Sequence, residues 1–598
     1  MNASTLTEMF LNTVKTHGPK TSLMTKVGGQ YQGFSYQELG ERVKHFALGL
    51  ASLGVHRGDR VSLLSENRPE WAIADLAIIS LGAINVPIYP TLIPKQIEYI
   101  LNDSEAKVII TSTAEQTQKI LQILRDLPVL KYIIFINPIE NPSAQMFSFE
   151  QVAVRGQEFE KAQPDYYDKA TKAVMPDDPC GIIYTSGTTG NPKGAILTHN
   201  NILSNVKGGV ATLKISSDDT FLSFLPLCHV FERMAGHFCA LSAGSTIAYA
   251  ESIDTVAQNL GEVKPTIMTS VPRLFEKMYT RVLENAAAGG AVKKKIFDWA
   301  IKTGEKYVQA QAEGKINGPL KFKYNLATKL VFSKLHERVG GRLRFFISGG
   351  APLPKEIGEF FHYAGIKILE GYGLTETSPV IAVNLEEKFK FGTVGPALKA
   401  GGVEVKIADD GEILTRGPHV MKGYYKKPAE TNEVIDDDGW LHTGDIGFLD
   451  DDGYLVITDR KKNIIVTSGG KNIAPAPIEN TMLTSPLIDQ ILVIGDRRKF
   501  LSALVVPNFE MLSSYAKEQN IAYKDQAELV QHPKINQWVA SEIERLSSGL
   551  ARFEQIKAFR LMPRLFTIEE GELTPTLKIK RKVVEEKYAE LIDSMYQE

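Results

Sequence analysis

Residues 181–194 read GIIYTSGTTGNPKG, which is a short apolar strand followed at once by a loop rich in glycine and hydroxyl side chains. Glycines let the backbone pass close to a ligand, and the amides, hydroxyls and single lysine are donors suited to a polyphosphate. Because Lys193 is followed by Gly194, the loop is not a Walker A motif. A flexible surface loop is the alternative, but the strict pattern favours phosphate binding. The expected phosphate ligands are Thr185, Ser186, Gly187, Thr188, Thr189, Gly190 and Lys193.

Around this loop, short apolar strands alternate with amphipathic helices for most of the chain. The alternation predicts an α/β fold with largely parallel sheets. A helix-rich stretch at 275–339 predicts a helical insertion. The pattern changes again at 459–463, so we expect a large N-terminal domain at 1–458 and a smaller α+β domain at 459–598. The predicted strands are 60–64, 107–111, 132–136, 181–184, 221–225, 266–269 and 343–347.

The composition excludes several classes of protein. Of the 598 residues, 43% are hydrophobic and 23% charged, as in ordinary globular proteins. The 68 basic and 70 acidic residues give a net charge of −2, which argues against a dedicated nucleic-acid-binding protein. Three cysteines without a CxxC pair disfavour a disulfide scaffold or a zinc ribbon and favour a reducing compartment. Without a membrane span or a secretory signal, a cytoplasmic protein is expected, with membrane contact limited to the inner face.

Six further motifs occur along the chain. GGAP (349–352) and EGYGLTE (370–376) each follow an apolar strand, where open α/β sheets bind ligands. WLHTGD (440–445), DRKKN (459–463), TSGGKN (467–472) and TPTLKIKR (574–581) come after them. Together with YTSGTTGNPKG, these motifs resemble the AMP-forming acyl-adenylating superfamily, which includes acyl-CoA synthetases, luciferases and peptide-synthetase adenylation domains. The resemblance runs from about residue 34 to residue 592.

The resemblance implies a nucleotide site. It places Tyr372 against the adenine base, Thr375 at the α-phosphate and Glu376 on Mg²⁺, a hard cation that prefers oxygen ligands. Asp445 would accept hydrogen bonds from the ribose hydroxyls, with Arg460 beside it. The other residues implied in the nucleotide pocket are Gly350, Ala351, Pro352, Glu370, Gly371, Gly373 and Leu374.

The resemblance also implies a reacting centre. Lys578 matches the family's catalytic lysine, and Lys580 is a competing candidate two residues further on. Read without the family, alternating lysines would indicate an exposed strand edge. His229 matches a histidine that lies beside the substrate carboxylate. The implied catalytic set is Lys578, His229, Glu376 and Thr185.

A moving C-terminal domain is the third implication. Residues 459–463 match the family's hinge, with Lys462 at the pivot. Many relatives have Gly where this chain has Asp459, and Asp where it has Lys462. After the domain rotates, the loop at 467–472 is implied to contact the thiol carrier through Gly469, Gly470 and Lys471.

Three segments, 275–339, 459–480 and 571–592, resemble long-chain fatty-acid–CoA ligases. We therefore expect a ligase that uses a long-chain fatty acid, ATP, Mg²⁺ and coenzyme A, with no nucleic-acid partner. An enzyme that loads a carrier protein's phosphopantetheine and a non-catalytic acyl-nucleotide binding protein stay open as alternatives. The sequence indicates no oligomeric state.

Two features concern the binding of the acyl chain and a contact with the membrane. The candidates for the acyl tunnel wall, Phe231, Met234, Phe238 and Met268, are equally plausible as core residues. Lys293, Lys294 and Lys295 could touch an anionic membrane, although a solvated helix face is the more common reason for such a cluster.

Overall fold

The computed structural model describes residues 3–185, 191–468, 471–568, 570–574 and 578–597. It has a large N-terminal domain of sheets and helices and a smaller C-terminal domain, which confirms the predicted α/β fold class. Two eight-stranded, mainly parallel sheets and one four-stranded antiparallel sheet form the large domain. Within the described residues, no helix is both long enough and apolar enough to cross a bilayer.

The first sheet is parallel through its six central strands and has an antiparallel strand at each edge. In spatial order its strands are Val380–Val383, Ile368–Gly373, Phe345–Ser348, Ile267–Ser270, Thr220–Ser223, Thr246–Tyr249, Thr21–Val27 and Gln30–Ser35.

The second sheet has six parallel strands that continue into an antiparallel hairpin at the phosphate loop. In spatial order its strands are Gly423–Tyr424, Lys193–Thr198, Pro179–Thr185, Ile84–Ile88, Arg60–Leu64, Val108–Thr111, Tyr132–Phe135 and Met146–Ser148. The seven predicted strands are all confirmed, with ends within two residues of the observed ones.

Helices cover the two sheets, and their ends follow local capping chemistry. Ser35 and Glu38 form a capping box at the start of Tyr36–Ser52. Thr198 caps His199–Leu213 by accepting a hydrogen bond from the backbone of Asn201 at 3.1 Å. The other helices of the large domain outside the insertion are Leu6–His17, Pro69–Ser80, Pro94–Ser104, Ala114–Ile123, Phe149–Ala162, Tyr166–Lys172, Cys239–Ala243, Val256–Val263, Lys355–Tyr363 and Pro428–Asn432, with a π-helical turn at Glu232–Phe238.

The predicted helical insertion is present and connects two neighbouring parallel strands of the first sheet, Ile267–Ser270 and Phe345–Ser348. Phe275 anchors it to that sheet, with its ring centroid 5.2 Å from that of Phe346. The insertion consists of Pro272–Ala288, Gly290–Ala312, Gly318–Ala327, a π-helical turn at Thr328–Phe332 and Ser333–Arg338.

The antiparallel sheet leads into the C-terminal domain. Its strands are Glu404–Ile407, Glu412–Arg416, Leu441–Leu449 and Leu455–Arg460. On the last of them, the buried Asp459 carboxylate accepts a hydrogen bond from the backbone N–H of Ala476, 3.1 Å away in the first turn of the helix Pro475–Met482. Lys461 is held to the same sheet by ion pairs with Asp410 and Glu412.

The C-terminal domain has its own hydrophobic core around a three-stranded sheet, Ile488–Ile494, Leu501–Pro507 and Ile556–Leu561. Its remaining elements are the short strands Ile465–Val466 and Asn472–Ile473 and the helices Pro475–Met482, Phe509–Glu518, Gln526–Gln531, Pro533–Ser547, Arg581–Lys587 and Ala589–Ser594. A contact with the insertion is made by Arg273, which donates to the backbone oxygen of Asp489 at 2.7 Å.

Candidate active site

A cavity of about 3060 Å³ lies where the carboxyl ends of parallel strands from both large sheets meet the C-terminal domain. Residues that follow directly after strands line it, including Tyr89, Phe224 and Gly349. Open α/β sheets bind ligands at this edge. The cavity also contains side chains from the C-terminal domain, among them Lys578, so both domains contribute to one site.

One side of the cavity, at the predicted phosphate loop, is formed by the base of the hairpin at 179–198. Thr185 and Lys193 both line the cavity, and the Thr185 hydroxyl donates to the Lys193 carbonyl at 3.4 Å. The Lys193 ammonium lies 5.1 Å from the centre of the Tyr424 ring, a cation–π contact that orients its charge. Between them, the predicted ligands Ser186, Gly187, Thr188, Thr189 and Gly190 lie outside the described residues.

The adjoining wall comes from two glycine-containing turns. All the residues predicted there line the cavity: Gly350, Ala351, Pro352, Glu370, Gly371, Tyr372, Gly373, Leu374 and Thr375. Gly350 has a φ of +84°, which favours glycine. At Gly373 a side chain would sit 1.7 Å from the carbonyl oxygen of Pro379, so only glycine fits. Glycine is therefore required at both positions by the backbone itself, through its conformation at Gly350 and through the close approach of Pro379 at Gly373.

Glu370 is a buried carboxyl in this wall. It accepts a hydrogen bond from the backbone N–H of Leu353 at 3.4 Å. Burial raises its pKa to about 8, more than the backbone donors lower it. At neutral pH the group is therefore mostly protonated and offers both a donor and an acceptor to the cavity.

Asp445 is the centre of a polar cluster that includes Tyr372 of this wall. The Tyr372 hydroxyl donates to its Oδ2 at 2.6 Å, and Arg460 Nε lies 3.1 Å from its Oδ1. Asp445 and Arg460 face each other across two antiparallel strands. Burial and the Asp445 charge both raise the pKa of Tyr372, so the phenol stays protonated as a donor. The sequence predicted these three residues separately, and the structure places them in one hydrogen-bonded group.

Glu376 lies in the short turn Thr375–Thr377 and lines the cavity. The Tyr424 hydroxyl donates to its Oε1 at 2.8 Å, and its other oxygen accepts no hydrogen bond from the residues that the structure describes. A single carboxylate with a free oxygen suits Mg²⁺, which is held by one or two carboxylates together with substrate phosphates. The residues present therefore fit the predicted metal.

Lys578 of the C-terminal domain is joined to Thr574 by two hydrogen bonds. Thr574 donates its backbone N–H to the Lys578 carbonyl at 2.8 Å, and Lys578 donates its own to the Thr574 hydroxyl at 3.1 Å. The side chain enters the cavity, where protein surrounds it although water can reach it. Burial and the charge of Arg460 lower its pKa to about 8, and the attraction of Asp445 only partly opposes this.

His229 faces Lys578 from the N-terminal domain. Burial, and then the charge of Lys578, lower the pKa of its imidazole to about 4, so the ring is neutral at physiological pH. Its Nδ1 accepts a hydrogen bond from the backbone of Phe231 at 3.1 Å. The proton of the neutral ring is therefore on Nε2, which can donate to an anionic ligand such as a carboxylate.

The two other candidate regions differ in their placement. Lys462 lines the cavity at the turn after the strand Leu455–Arg460. Lys471 lies outside it, with its ammonium 5.7 Å from the centre of the Phe553 ring. Its predicted neighbours Gly469 and Gly470 lie outside the described residues.

An apolar part of the cavity adjoins His229. Phe231 and Met234 line it, whereas Phe238 and Met268 are core residues that do not reach it. Phe231 and Met234 therefore stay candidates for the acyl tunnel wall, whereas Phe238 and Met268 are core residues. Sequence analysis missed the residues that the helix His199–Leu213 and the segments next to it contribute here: Gly209, Leu213, Ile215, Ala235 and Cys239.

Tyr424 was also missed, although it contacts both Glu376 and Lys193. It lies on a two-residue strand that carries no recognisable motif. Its role follows only from pairing of that strand with Lys193–Thr198.

Family profiles cover most of the chain. The profile of the AMP-binding enzyme family matches residues 10–425, and that of the AMP-binding enzyme C-terminal domain matches residues 462–598. A long-chain-fatty-acid–CoA ligase from Mycobacterium tuberculosis is 38% identical over 574 residues, which cover 95% of this chain and 93% of that protein. A peroxisomal long chain acyl-CoA synthetase from Arabidopsis thaliana is 35% identical over 589 residues, covering 95% of this chain and 82% of that protein.

Solved structures share the fold. The adenylation domain of a carboxylate reductase from Mycobacterium chelonae superposes with a TM-score of 0.78 at 22% identity, over 100% of this chain and 92% of that one. An anthranilate CoA ligase in complex with anthranoyl-AMP gives a TM-score of 0.73 at 21% identity, over 99% of this chain and 98% of that one. The chain therefore has the fold of adenylating enzymes.

Proposed function

This chain belongs to the AMP-binding enzyme family, and on that premise we propose that it is a long-chain fatty-acid–CoA ligase. It would convert a long-chain fatty acid, ATP and coenzyme A into acyl-CoA, AMP and pyrophosphate through an acyl-adenylate. The observation that carries the proposal is the meeting of Lys578 and His229 in a cavity that also contains Thr185, Lys193 and Asp445. The apolar part beside His229 suits an aliphatic chain.

In the first half-reaction, a carboxylate oxygen of the acid bonds to the α-phosphorus of ATP and the bond to pyrophosphate breaks. An anion approaches a polyanion, so the site has to supply positive charge and donors where charge develops. We propose that the Lys578 ammonium lies between the carboxylate and the α-phosphate, while His229 Nε2 donates to the carboxylate. Lys193 and Thr185 would hold the outgoing phosphates.

The nucleoside would occupy the wall opposite the phosphate loop. Asp445 has lone pairs left after binding Tyr372 and Arg460, and these can accept the ribose hydroxyls. The base would lie against Tyr372, next to Gly350 and Gly373 in the cavity wall. Mg²⁺ bound through Glu376 would neutralise phosphate charge during the transfer.

In the second half-reaction, the thiol sulfur of coenzyme A bonds to the acyl carbon, AMP leaves and the thiol proton passes to solvent. We propose that the C-terminal domain (459–598) rotates about 459–463, with Lys462 at the pivot, to replace Lys578 by the loop at 467–472. The exposed position of Lys462 in a turn between the domains supports this assignment. Gly469, Gly470 and Lys471 would then border the thiol arm.

We propose a cytoplasmic location, because Cys180, Cys228 and Cys239 are all free and buried. Free thiols of this kind suit a reducing compartment.

A panel of straight-chain acids tests the substrate class. Each buried CH₂ is worth about 0.8 kcal/mol, so kcat/KM with coenzyme A should favour palmitate over octanoate by at least about tenfold. Acyl-CoA formation is measured by chromatography, with a phosphopantetheinylated carrier protein as the acceptor in parallel.

A preference for acetate or benzoate would contradict the substrate class. Thioester formed only on the carrier protein would assign the enzyme to carrier loading, and no acid-dependent pyrophosphate release at all would leave a binding protein. Acyl-CoA formed from palmitate with free coenzyme A would select the long-chain ligase over both alternatives.

The low pKa of Lys578 predicts a basic limb in the pH profile of adenylation. The reactive form is the ammonium, which is present below a pKa of about 8 and lost as the pH rises through it. The value of kcat/KM for acid-dependent pyrophosphate release should therefore fall above about pH 8, because this parameter reports the free enzyme. Pyrophosphate release is measured across the pH range with a coupled phosphate assay.

Arginine variants identify the group that titrates. Lys578→Arg keeps the charge at all these pH values and should remove the limb, even at a lower rate. Lys580→Arg should leave the limb where it is. The opposite assignment, with the limb lost in Lys580→Arg, would make Lys580 the reactive lysine.

A further inference from the structure

The helical insertion carries a strong local excess of positive charge. Between residues 289 and 334 there are ten lysines and three acidic residues, whereas the whole chain has a net charge of −2. All ten lysines are exposed, and within the described part of the chain only Lys315 forms an ion pair, with Glu313. Charge repulsion makes such a cluster costly unless an anionic surface compensates it. The lysines are Lys293, Lys294, Lys295, Lys302, Lys306, Lys315, Lys321, Lys323, Lys329 and Lys334.

An apolar stripe runs through this basic region. Phe322, Leu326 and Leu330 are spaced by four residues along the helical segment 318–338, and their exposed fractions are 69%, 39% and 48%. The other side of the segment faces the core, where Tyr324 stacks on Tyr307 with ring centroids 4.0 Å apart. The stripe is therefore an outward face that no other described part of the chain covers.

Lysines border this stripe on both sides. At 100° per residue, Lys323 lies next to Leu330 on one side, while Lys329 and then Lys321 lie on the other side of Phe322. We call the six residues the basic–apolar face: Lys321, Phe322, Lys323, Leu326, Lys329 and Leu330. An apolar stripe bordered by lysines is the pattern of helices that lie in the membrane interface.

We propose that the basic–apolar face docks the protein onto an anionic lipid bilayer. The three apolar side chains would enter the boundary between headgroups and acyl chains, and the lysine ammonium groups would reach the lipid phosphates. A second copy of this chain would bring the same positive charge and be repelled. A nucleic acid would leave the exposed phenylalanine and leucines without a partner, so the combination of charge and stripe favours lipid.

The position of this face relative to the cavity gives the docking a purpose, which rests on the proposed function. The helix Pro272–Ala288 begins with Arg273 and Leu274 at the cavity and ends next to Gly290–Ala312, the helix that carries Lys293. Its 17 residues rise about 25 Å. Docking through the insertion would keep the protein on the bilayer from which a long-chain acid is drawn.

The experiment is co-sedimentation of the full-length protein with vesicles. One set contains phosphatidylcholine only, and the other contains phosphatidylcholine and phosphatidylglycerol in equal parts. The wild type should bind the anionic vesicles, and high ionic strength should weaken the binding. Lys321→Glu/Lys323→Glu/Lys329→Glu should lower the partition coefficient roughly a hundredfold, and Phe322→Ser/Leu326→Ser/Leu330→Ser by more than about tenfold.

The matched control is Lys517→Glu/Lys524→Glu/Lys534→Glu, three exposed lysines of the C-terminal domain, which should bind as the wild type does. Circular dichroism and thermal unfolding establish that each variant is folded. Activity with decanoate in the absence of vesicles should be equal in all of them, which separates docking from ligation. Wild-type protein that ignores anionic vesicles, or equal losses in the control triple, would overturn the proposal.

Discussion

Replacing Lys578 with alanine should lower acid-dependent pyrophosphate release by about a hundredfold to a thousandfold. The same variant should convert supplied acyl-adenylate and coenzyme A into acyl-CoA at nearly the wild-type rate. ATP affinity should change little, because the charge acts mainly where the carboxylate meets the α-phosphate in the transition state. Pyrophosphate release, thioester formation and nucleotide binding are measured on the same preparation.

The structure gives the reason for this asymmetry. Lys578 reaches the cavity from the C-terminal domain, and its charge lowers the pKa of His229 of the N-terminal domain. The proposed nucleoside pocket lies around Asp445 and Tyr372, whose hydrogen bond does not involve this lysine. Removing one ammonium should therefore leave the nucleotide pocket intact and remove the charge that joins the two substrates.

Lys580→Ala is the matched control, since it deletes a lysine from the same segment of the cavity wall. It should retain most of the adenylation rate. If Lys578→Ala reduced both half-reactions equally in a folded protein, the separate role of the lysine in adenylation would be refuted. A greater loss in Lys580→Ala would transfer that role to Lys580.

Replacing Asp75 with alanine should lower the free energy of unfolding by about 3–5 kcal/mol, because it strands a buried cation. Asp75 and Arg233 are both fully buried, and the guanidinium donates to the two carboxylate oxygens at 2.9 and 2.6 Å. Asn85 donates to the same carboxylate at 2.7 Å. Arg233 also donates its backbone N–H to the carbonyl oxygen of His229 at 3.1 Å. Removing Asp75 should therefore also disturb the position of His229 in the active site.

The change in the free energy of unfolding is measured from the transition of the N-terminal domain in thermal and urea unfolding. Glu387→Ala is the control, since it breaks the exposed Lys214–Glu387 pair and should change stability by about 1 kcal/mol or less. Asp75→Leu combined with Arg233→Met should recover much of the loss, because it removes both charges. Equal, small losses in Asp75→Ala and Glu387→Ala would show that the buried pair is not a major contribution.

Much of the fold could be predicted from the sequence, because strands such as Arg60–Leu64 and Val108–Thr111 are short apolar runs bounded by polar turns. The run at 71–90 could not be assigned in this way. It covers most of the helix Pro69–Ser80 and the whole strand Ile84–Ile88, and both elements are almost entirely buried. The hydrophobic periodicity of a helix or strand arises because one of its sides faces solvent. Neither of these two elements has a solvent-facing side, so the periodic pattern is absent from their sequence.

The residues of the candidate site likewise fall into a group that could be predicted from the sequence and a group that could not. Asp445, Arg460 and Lys578 could be predicted because each lies in a motif that resembles a family pattern. Tyr424 could not, since its contact with Glu376 joins residues 48 positions apart and depends on strand pairing. The Asp75–Arg233 pair spans 158 positions and is equally invisible to local patterns. Contacts made by tertiary structure alone thus account for the part that was missed.

Asp459 has a consequence for the pace of the catalytic cycle. Its carboxylate ties the last strand of one domain to the first turn of a helix in the other, and burial raises its pKa. A swing of the C-terminal domain about the neighbouring residues would have to exchange this amide partner for water and later regain it. Breaking and re-forming this hydrogen bond would slow the domain rotation, so Asp459, which is not proposed to take part in the chemistry, would help to set how often the enzyme turns over.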